Sequence, residues 1–341
     1  ATTDTPPLPP SPPGPPTAFL ATAPKPAIAE KLADKPFKAL EYEETNKHTR
    51  VGMLNLETGE AVPQELTGSA SRLAWAPDGK AYAVALAPTP QVDDSYVARD
   101  IFIVNAENGA VQNQLGSVGK LGHFAWSPDG KRVAYIGAED INDPSPGRLY
   151  MVSARGGERT ELVPAFDGQV EEFYWMDKDS IAYSSSRGVW SELSRVSLFE
   201  IEHADEPGES GPILHDIDSL PGQRSVAAVA SRPGHPPEVY LLKPGADPLR
   251  LTDSNPFLAD RLLGKQEVIS YEARDGQRLE AVVIHPIEPR EDGRKPLIMF
   301  VHGGPEGHRS NGWLSNYSQP GQAFAAQGYT VVYPNYRGST G

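Results

Sequence analysis

The sequence predicts a mainly β chain, a partial β-propeller followed by the opening elements of an α/β domain. Three observations carry that prediction: a tryptophan-containing turn that recurs about every fifty residues, a change of pattern near residue 263, and an apolar run that ends in His302-Gly303-Gly304-Pro305. At 341 residues the chain is longer than one hydrophobic core usually serves, so at least two domains are expected.

Residues 1–36 come first and read as a Pro-rich linker or irregular segment. Ten prolines fall in the first thirty residues, most of them between Pro6 and Pro16, and proline neither pairs inside a sheet nor continues a helix. The repeats follow, over residues 37–262. Leu73-Ala-Trp-Ala-Pro-Asp-Gly-Lys80 and Phe124-Ala-Trp-Ser-Pro-Asp-Gly-Lys131 match almost letter for letter, with Trp75 and Trp126 separated by 51 residues. A degraded third copy puts Trp175 another 49 residues on. In each intact copy proline presets φ and glycine takes the positive-φ position that turns the chain back, so each unit opens with a hairpin. Further strand-like runs follow each hairpin, and an earlier and a later unit are in phase at Val51 to Leu56 and at Ser225 to Leu242. A period near fifty with about four strands per unit is the pattern of propeller blades, four to five of them here and an incomplete set. The tryptophans are expected to pack between units.

Past Asp253 the pattern changes, and residues 263–341 read as a second domain. Residues 267–273 and 278–284 are two strands joined through Asp275-Gly276, a strong hairpin signal. The run 297–301 is short and continuously apolar, as in a strand buried on both faces. Residues 319–327 are compatible with a helix stopped at Gly328, and 330–333 form another buried strand.

Between these elements lies the chemistry. An apolar strand ending in a Gly-rich turn presents bare backbone N–H groups to a developing negative charge, because glycine has no Cβ to block the approach. This marks His302-Gly303-Gly304-Pro305 as an oxyanion-hole loop. No Gly-x-Ser-x-Gly nucleophile elbow occurs in the sequence, so the electrostatic half of an acyl-transfer site stands without its nucleophile.

Composition narrows the partners. A formal net charge of -14 opposes binding to nucleic acid or to an anionic membrane, which leaves small molecules, peptides or proteins. The absence of cysteine excludes disulfides and thiolate metal sites. The eight histidines show no metal-ligand spacing, and no cofactor is expected. No apolar stretch approaches the ~20 residues needed to span a bilayer, so a soluble chain is expected, cytoplasmic or periplasmic to secreted.

The succession of Trp-x-Pro-Asp-Gly turns, Asp253-Ser-Asn-Pro256, Tyr271-Glu-Ala-Arg-Asp-Gly276, His302-Gly-Gly-Pro305 and Asn335-Tyr-Arg-Gly-Ser-Thr-Gly341 resembles the prolyl oligopeptidase family, most of all its acylaminoacyl-peptidase and dipeptidyl-peptidase-like branch. The resemblance covers residues 37–341. It implies a serine peptidase that cleaves short peptides through an acyl-enzyme on an α/β-hydrolase domain, with the propeller gating access. It further implies that Gly304 donates its backbone N–H to the oxyanion, and that Gly303 and His302 shape the loop, His302 not being the catalytic histidine. The family's Ser, Asp and His lie past the equivalent of Gly341, and its propellers have more blades, so the sequence reads as a piece cut at both ends that is inactive alone. An esterase of the same fold and a non-catalytic propeller binding module are the alternatives. Among other residues, Ser339 reads as part of a structural turn because its spacing to the flanking glycines is wrong for an elbow. Glu171-Glu172 is similar to the acidic pair with which dipeptidyl-peptidases hold a substrate's α-amino group, but reads here as a solvated strand edge. His308 and Trp313 follow the glycine loop and read either as substrate contacts or as ordinary loop residues.

Overall fold

The computed structural model describes residues 17–22, 46–142, 145–198, 211–220, 223–288, 293–294, 296–304 and 306–341. The proline run 6–16 lies outside the described residues. The chain is mainly β, and its described strands form six sheets of three or four strands. It divides into two compact units, residues 1–145 with 149–161, and residues 146–148 with 162–341.

The first unit opens with a strand inside the segment read as irregular. Thr17–Thr22 pairs antiparallel with Thr49–Leu54, which pairs in turn with Ala61–Pro63. The dense proline run ends at Pro16, no proline falls between 17 and 22, and Thr-Ala-Phe-Leu-Ala-Thr carries both the residue types and the free N–H groups a strand needs. The next two sheets follow the repeat. One runs Ser69–Trp75, Ala81–Ala87, Asp100–Asn105 and Val111–Gln114; the other runs Leu121–Trp126, Arg132–Gly137, Arg148–Ser153 and Thr160–Glu161, each strand bonded to its neighbour in sequence. The two Pro-Asp-Gly turns are alike in detail. Gly79 and Gly130 sit at φ 69° and 68°, their N–H groups donate to Ala76 O and Ser127 O, and Asp78 and Asp129 accept from the N–H two residues on.

The repeated tryptophan works between sheets. Trp126 Nε1 donates to the carbonyl of Ala74 on the preceding sheet at 3.0 Å, and its ring packs on a core containing Phe124, Tyr135, Ile101 and Ile103. Trp126→Phe keeps most of the apolar contact but leaves that carbonyl unpaired, so the denaturation midpoint should fall by the equivalent of ~1 kcal/mol. An unchanged midpoint in urea would remove this bond from the account of stability.

In the second unit the degraded copy still closes a hairpin without glycine. Met176 N–H donates to Ser180 O, and Asp177 accepts from Asp179 N–H and Ser180 Oγ, between strands Gln169–Trp175 and Ser180–Arg187. Trp190–Ser197 completes that sheet, and Ile213–Asp218, Val226–Arg232, His235–Leu242 and Leu249–Arg250 form the next. The last sheet has the order Gln266–Glu272, Arg278–Ile284, Thr330–Asn335, Leu297–Met299. Its last pair alone is parallel, and the connection between them carries the short helix Gly321–Ala325.

That helix covers one face of the sheet, over Val282, Ile284, Val331 and Tyr333. It is shorter than the sequence suggested. Pro320 caps its start, while Gly328 at φ 83° and the bonds Gly328 N–H to Ala325 O and Tyr329 N–H to Phe324 O end it in a Schellman closure. The run 297–301 departs from expectation in burial. Phe300 faces inward against Phe324 and Tyr333, but Leu297, Met299 and Val301 are each more than half exposed. Alternation along an edge strand turns successive side chains to opposite faces, and the helix covers only one of them. Among the described residues no helix is long and apolar enough to cross a membrane.

Candidate active site

The glycine loop leaves the carboxyl end of the edge strand Leu297–Met299, which Phe300 extends by donating to Val332 O at 2.9 Å. The neighbouring parallel strand Thr330–Asn335 ends at the same edge and leads into residues 336–341. Carboxyl ends of adjacent parallel strands are where open α/β sheets place ligands, because both following loops converge there.

These two loops are bonded together along their length. His302 is buried, its ring stacked on Tyr336 with centroids 4.4 Å apart, and Tyr336 OH donates to His302 O at 2.6 Å. Asn335 Oδ1 accepts from Arg309 N–H at 2.7 Å, and Asn335 Nδ2 donates to Arg309 O at 3.0 Å. Thr340 N–H donates to Gly307 O, and Thr340 Oγ1 lies 3.1 Å from His308 Nδ1. Gly304 and Gly303 are exposed at the loop's tip. They are not equivalent. A Cβ on Gly304 would fall 2.0 Å from Glu306 O and 2.4 Å from Glu306 N, whereas one on Gly303 would meet nothing within 4 Å. The turn itself, and not only an approaching substrate, requires glycine at 304.

His302 Nε2 lies 2.9 Å from Ser339 Oγ, an arrangement that invites comparison with a serine nucleophile and its base. The proton count argues otherwise. Ser339 Oγ donates its single proton to Tyr336 O at 2.7 Å, so Nε2 is the donor to the hydroxyl and His302 has no lone pair aimed at it. Burial, with Arg309 nearby, holds His302 below its ordinary pKa and hence neutral. Ser339 and His302 therefore form a structural lock. A serine-directed fluorophosphonate is expected to leave Ser339 unlabelled; stoichiometric labelling there would make it a nucleophile.

A second group of residues meets the loop from the fourth sheet. Strand Gln169–Trp175 bulges between Val170 and Glu172, so Glu171 is the extra residue and its side chain leaves the regular alternation. Its strand is at the edge of the sheet, but the side chain is not fully solvated. Glu171 is half-buried, accepts from Ser186 Oγ at 2.6 Å and Gln169 Nε2 at 3.0 Å, and lines a cavity of about 320 Å³ with His215, His308, Ser310 and Trp313. Burial lowers the pKa of both His215 and His308, against the opposing pull of the Glu171 carboxylate. Glu171 and Arg309 both line the cavity, a carboxylate and a guanidinium of opposite charge, and Glu171 is the one carboxylate in its wall. Ile213, Leu214 and Leu314 make another wall apolar. The cavity thus offers a carboxylate, a guanidinium and an apolar wall to a small group. Among the described residues no cluster of His, Asp or Glu could hold a metal ion.

With this geometry in view, the chain's similarities to known proteins take on chemical content. It is 27% identical over 282 residues to dipeptidyl-peptidase 5 of Porphyromonas gingivalis, covering 78% of this chain and 39% of that protein. Dipeptidyl-peptidase 5 of Trichophyton equinum is 25% identical over 291 residues, 84% of this chain and 33% of the relative. The homologues of this chain are peptidases. Its fold is shared with the acylaminoacyl peptidase of Pyrococcus horikoshii at a TM-score of 0.66 and 19% identity, covering 96% of this chain and 49% of that one. The chain therefore spans half or less of the length of the peptidases it matches. No protein-family model matches it.

Sequence motifs account for His302, Gly303, Gly304 and the run Asn335 to Gly341, and the structure brings all of them to one strand edge. His308 and Trp313 also lie there, on the cavity wall. The strand edge at Glu171 was readable from sequence, but the cavity was not, because a bulge breaks the period of two on which burial is inferred. Its acidic pair was the one available signal.

Proposed function

We propose that this chain supplies the oxyanion-stabilising and substrate-gripping parts of a serine peptidase, with the blades of a partial propeller over residues 37–262 restricting access and residues 263–341 opening the α/β-hydrolase domain. In this reading Gly304 donates its backbone N–H to the tetrahedral oxyanion, the N–H after the nucleophilic serine being the second donor. Gly303 and His302 hold the loop in shape. Glu171 pairs with the α-ammonium group of a short peptide, and the apolar wall takes the first side chain. Cleavage would proceed through an acyl-enzyme on a serine that this chain does not contain.

The observation that carries the proposal is the Glu171 carboxylate in the same cavity as His308, six residues past the start of the glycine loop. An esterase acting on uncharged acyl groups has no use for that carboxylate. A peptide's free amine does, because a partly desolvated charge pair favours its cation over an uncharged analogue by about 2 kcal/mol.

The test is made on the chain itself. Val-Ala amide with a free amine should bind at least ~30-fold more tightly than its N-acetyl form, and Glu171→Gln should abolish that preference, as expected for loss of about 2 kcal/mol of charge pairing. Equal calorimetric affinities of the two ligands would remove the amine-binding role. The coding sequence after Gly341 tests the other half: a Gly-x-Ser-x-Gly elbow supports the peptidase, and a stop without one favours a binding module.

A further inference from the structure

Arg309 stands in the cavity wall without a partner for its charge. Its guanidinium and the Glu171 carboxylate line the same cavity of about 320 Å³, yet the two form no ion pair with each other. Glu171 is already engaged by Ser186 Oγ and Gln169 Nε2. Arg309 Nε is buried and makes no hydrogen bond, and among the described residues no carboxylate meets the guanidinium. A buried donor left unpaired is costly, the more so when it is charged. The residue is nevertheless held firmly at its base. Asn335, itself buried, accepts from Arg309 N–H at 2.7 Å and donates to Arg309 O at 3.0 Å. A guanidinium fixed at its root, half-buried and without a counter-charge is prepared for an anion that the described chain does not supply.

We propose that Arg309 binds the free α-carboxylate of a short peptide in this cavity, and so selects zwitterionic dipeptides. The inference rests on the amine-binding reading above and adds the other end of the ligand to it. Two opposite charges that share a wall but do not neutralise each other match a ligand with a cation at one end and an anion at the other. The volume is at the small end of the ~300 to 1,000 Å³ usual for small-molecule sites, so the ligand is one or two residues long rather than an extended chain. A planar carboxylate suits the guanidinium fork, which offers parallel N–H donors to both oxygens. A peptide bond in the same place offers one uncharged oxygen and gains less. The consequence is a competition. A longer peptide presents an amide where a dipeptide presents its carboxylate, so a free dipeptide holds the cavity more tightly than the amino-terminal end of a longer chain.

Calorimetry on the 341-residue chain compares Val-Ala, whose carboxylate is ionised at neutral pH, with Val-Ala amide, and N-acetyl-Val-Ala with its own amide. Val-Ala should bind at least ~10-fold more tightly than its amide, a difference of about 1.4 kcal/mol. The N-acetyl pair has no amine and reads Arg309 apart from Glu171, so the acid should again be preferred there. Arg309→Gln should bind Val-Ala and its amide equally, and Arg309→Lys, which keeps the charge but loses the fork, should recover part of the preference. If Arg309→Gln does not fold, the wild-type chain gives a second readout: the Arg309 Nε–H proton resonance should shift on adding Val-Ala and far less with the amide. Equal affinities for Val-Ala and its amide overturn the proposal, as does an acid preference that survives Arg309→Gln or leaves the Nε–H resonance in place. If free-amine and N-acetyl forms bind alike while each acid still exceeds its amide, the amine-binding reading fails and the carboxylate site stands. A chain that binds none of the four ligands overturns both.

Discussion

A valine at position 304 is expected to lower kcat by about 10²- to 10³-fold, the usual effect of losing one oxyanion donor, in a polypeptide that joins this chain to a serine nucleophile and its base. Two causes act together. The first is steric: the Cβ position is already occupied by the backbone of Glu306, 2.0 Å away at its carbonyl oxygen, and backbone cannot swing aside as a flexible side chain would. The turn must open, which moves the Gly304 N–H off its aim. The second is timing, since that N–H matters most when negative charge has developed on the substrate oxygen, so kcat should fall far more than KM rises. Gly303→Ala is the control, because its Cβ would meet nothing within 4 Å, and it should stay near wild type. Equal losses at 303 and 304 would show general loop damage, and near wild-type turnover for the valine variant would take Gly304 out of the site.

Acid should destabilise the chain well before its carboxylates are protonated. Burial, with Arg72 nearby, pushes the His123 pKa down to about 3, and burial also lowers His215, His302 and His308. Unfolded histidine takes up its proton near pH 6.5. Below that pH the unfolded chain holds protons that the folded chain refuses, so acid favours unfolding. The stabilisation is complete above pH 6.5 and is lost progressively as the pH falls toward the folded values, about 3 for His123. Between pH 7 and 5 His123 alone should account for a loss of up to about 2 kcal/mol. Urea midpoints measured across that interval should fall, and His123→Leu should flatten the decline. A midpoint constant from pH 7 to 5 would mean that these imidazoles are accessible to protons in the folded state.

The repeat and the glycine loop are legible in sequence for the same reason: both depend on local backbone chemistry. A Pro-Asp-Gly turn closes through bonds spanning a few residues, and Gly79 and Gly130 adopt the positive φ that their neighbours predict. The loop after Phe300 is likewise announced by its glycines. Alternation, by contrast, reads only uniform strands. Leu297, Met299 and Val301 look like core because apolarity does not say which face of an edge strand is covered, and a helix of five residues covers one.

The site divides along the same line. The sequence by itself determined the turn-forming residues, the glycine-rich loop after Phe300, and a likeness to peptidases that its homologues share. Only the tertiary structure decided that Gly304 and not Gly303 is sterically required, that Ser339 gives its proton to Tyr336 O and stands as a lock on His302, and that Glu171 faces a cavity shared with His308. Each of those facts depends on a contact between residues far apart in the chain, 32 positions for His308 and Thr340 and 15 for Glu171 and Ser186, or on a bulge or tight turn that shifts a side chain by one position. Periodicity and propensity report what a residue prefers among its near neighbours. Which distant groups share its hydrogen bonds is settled only when sheets and loops pack.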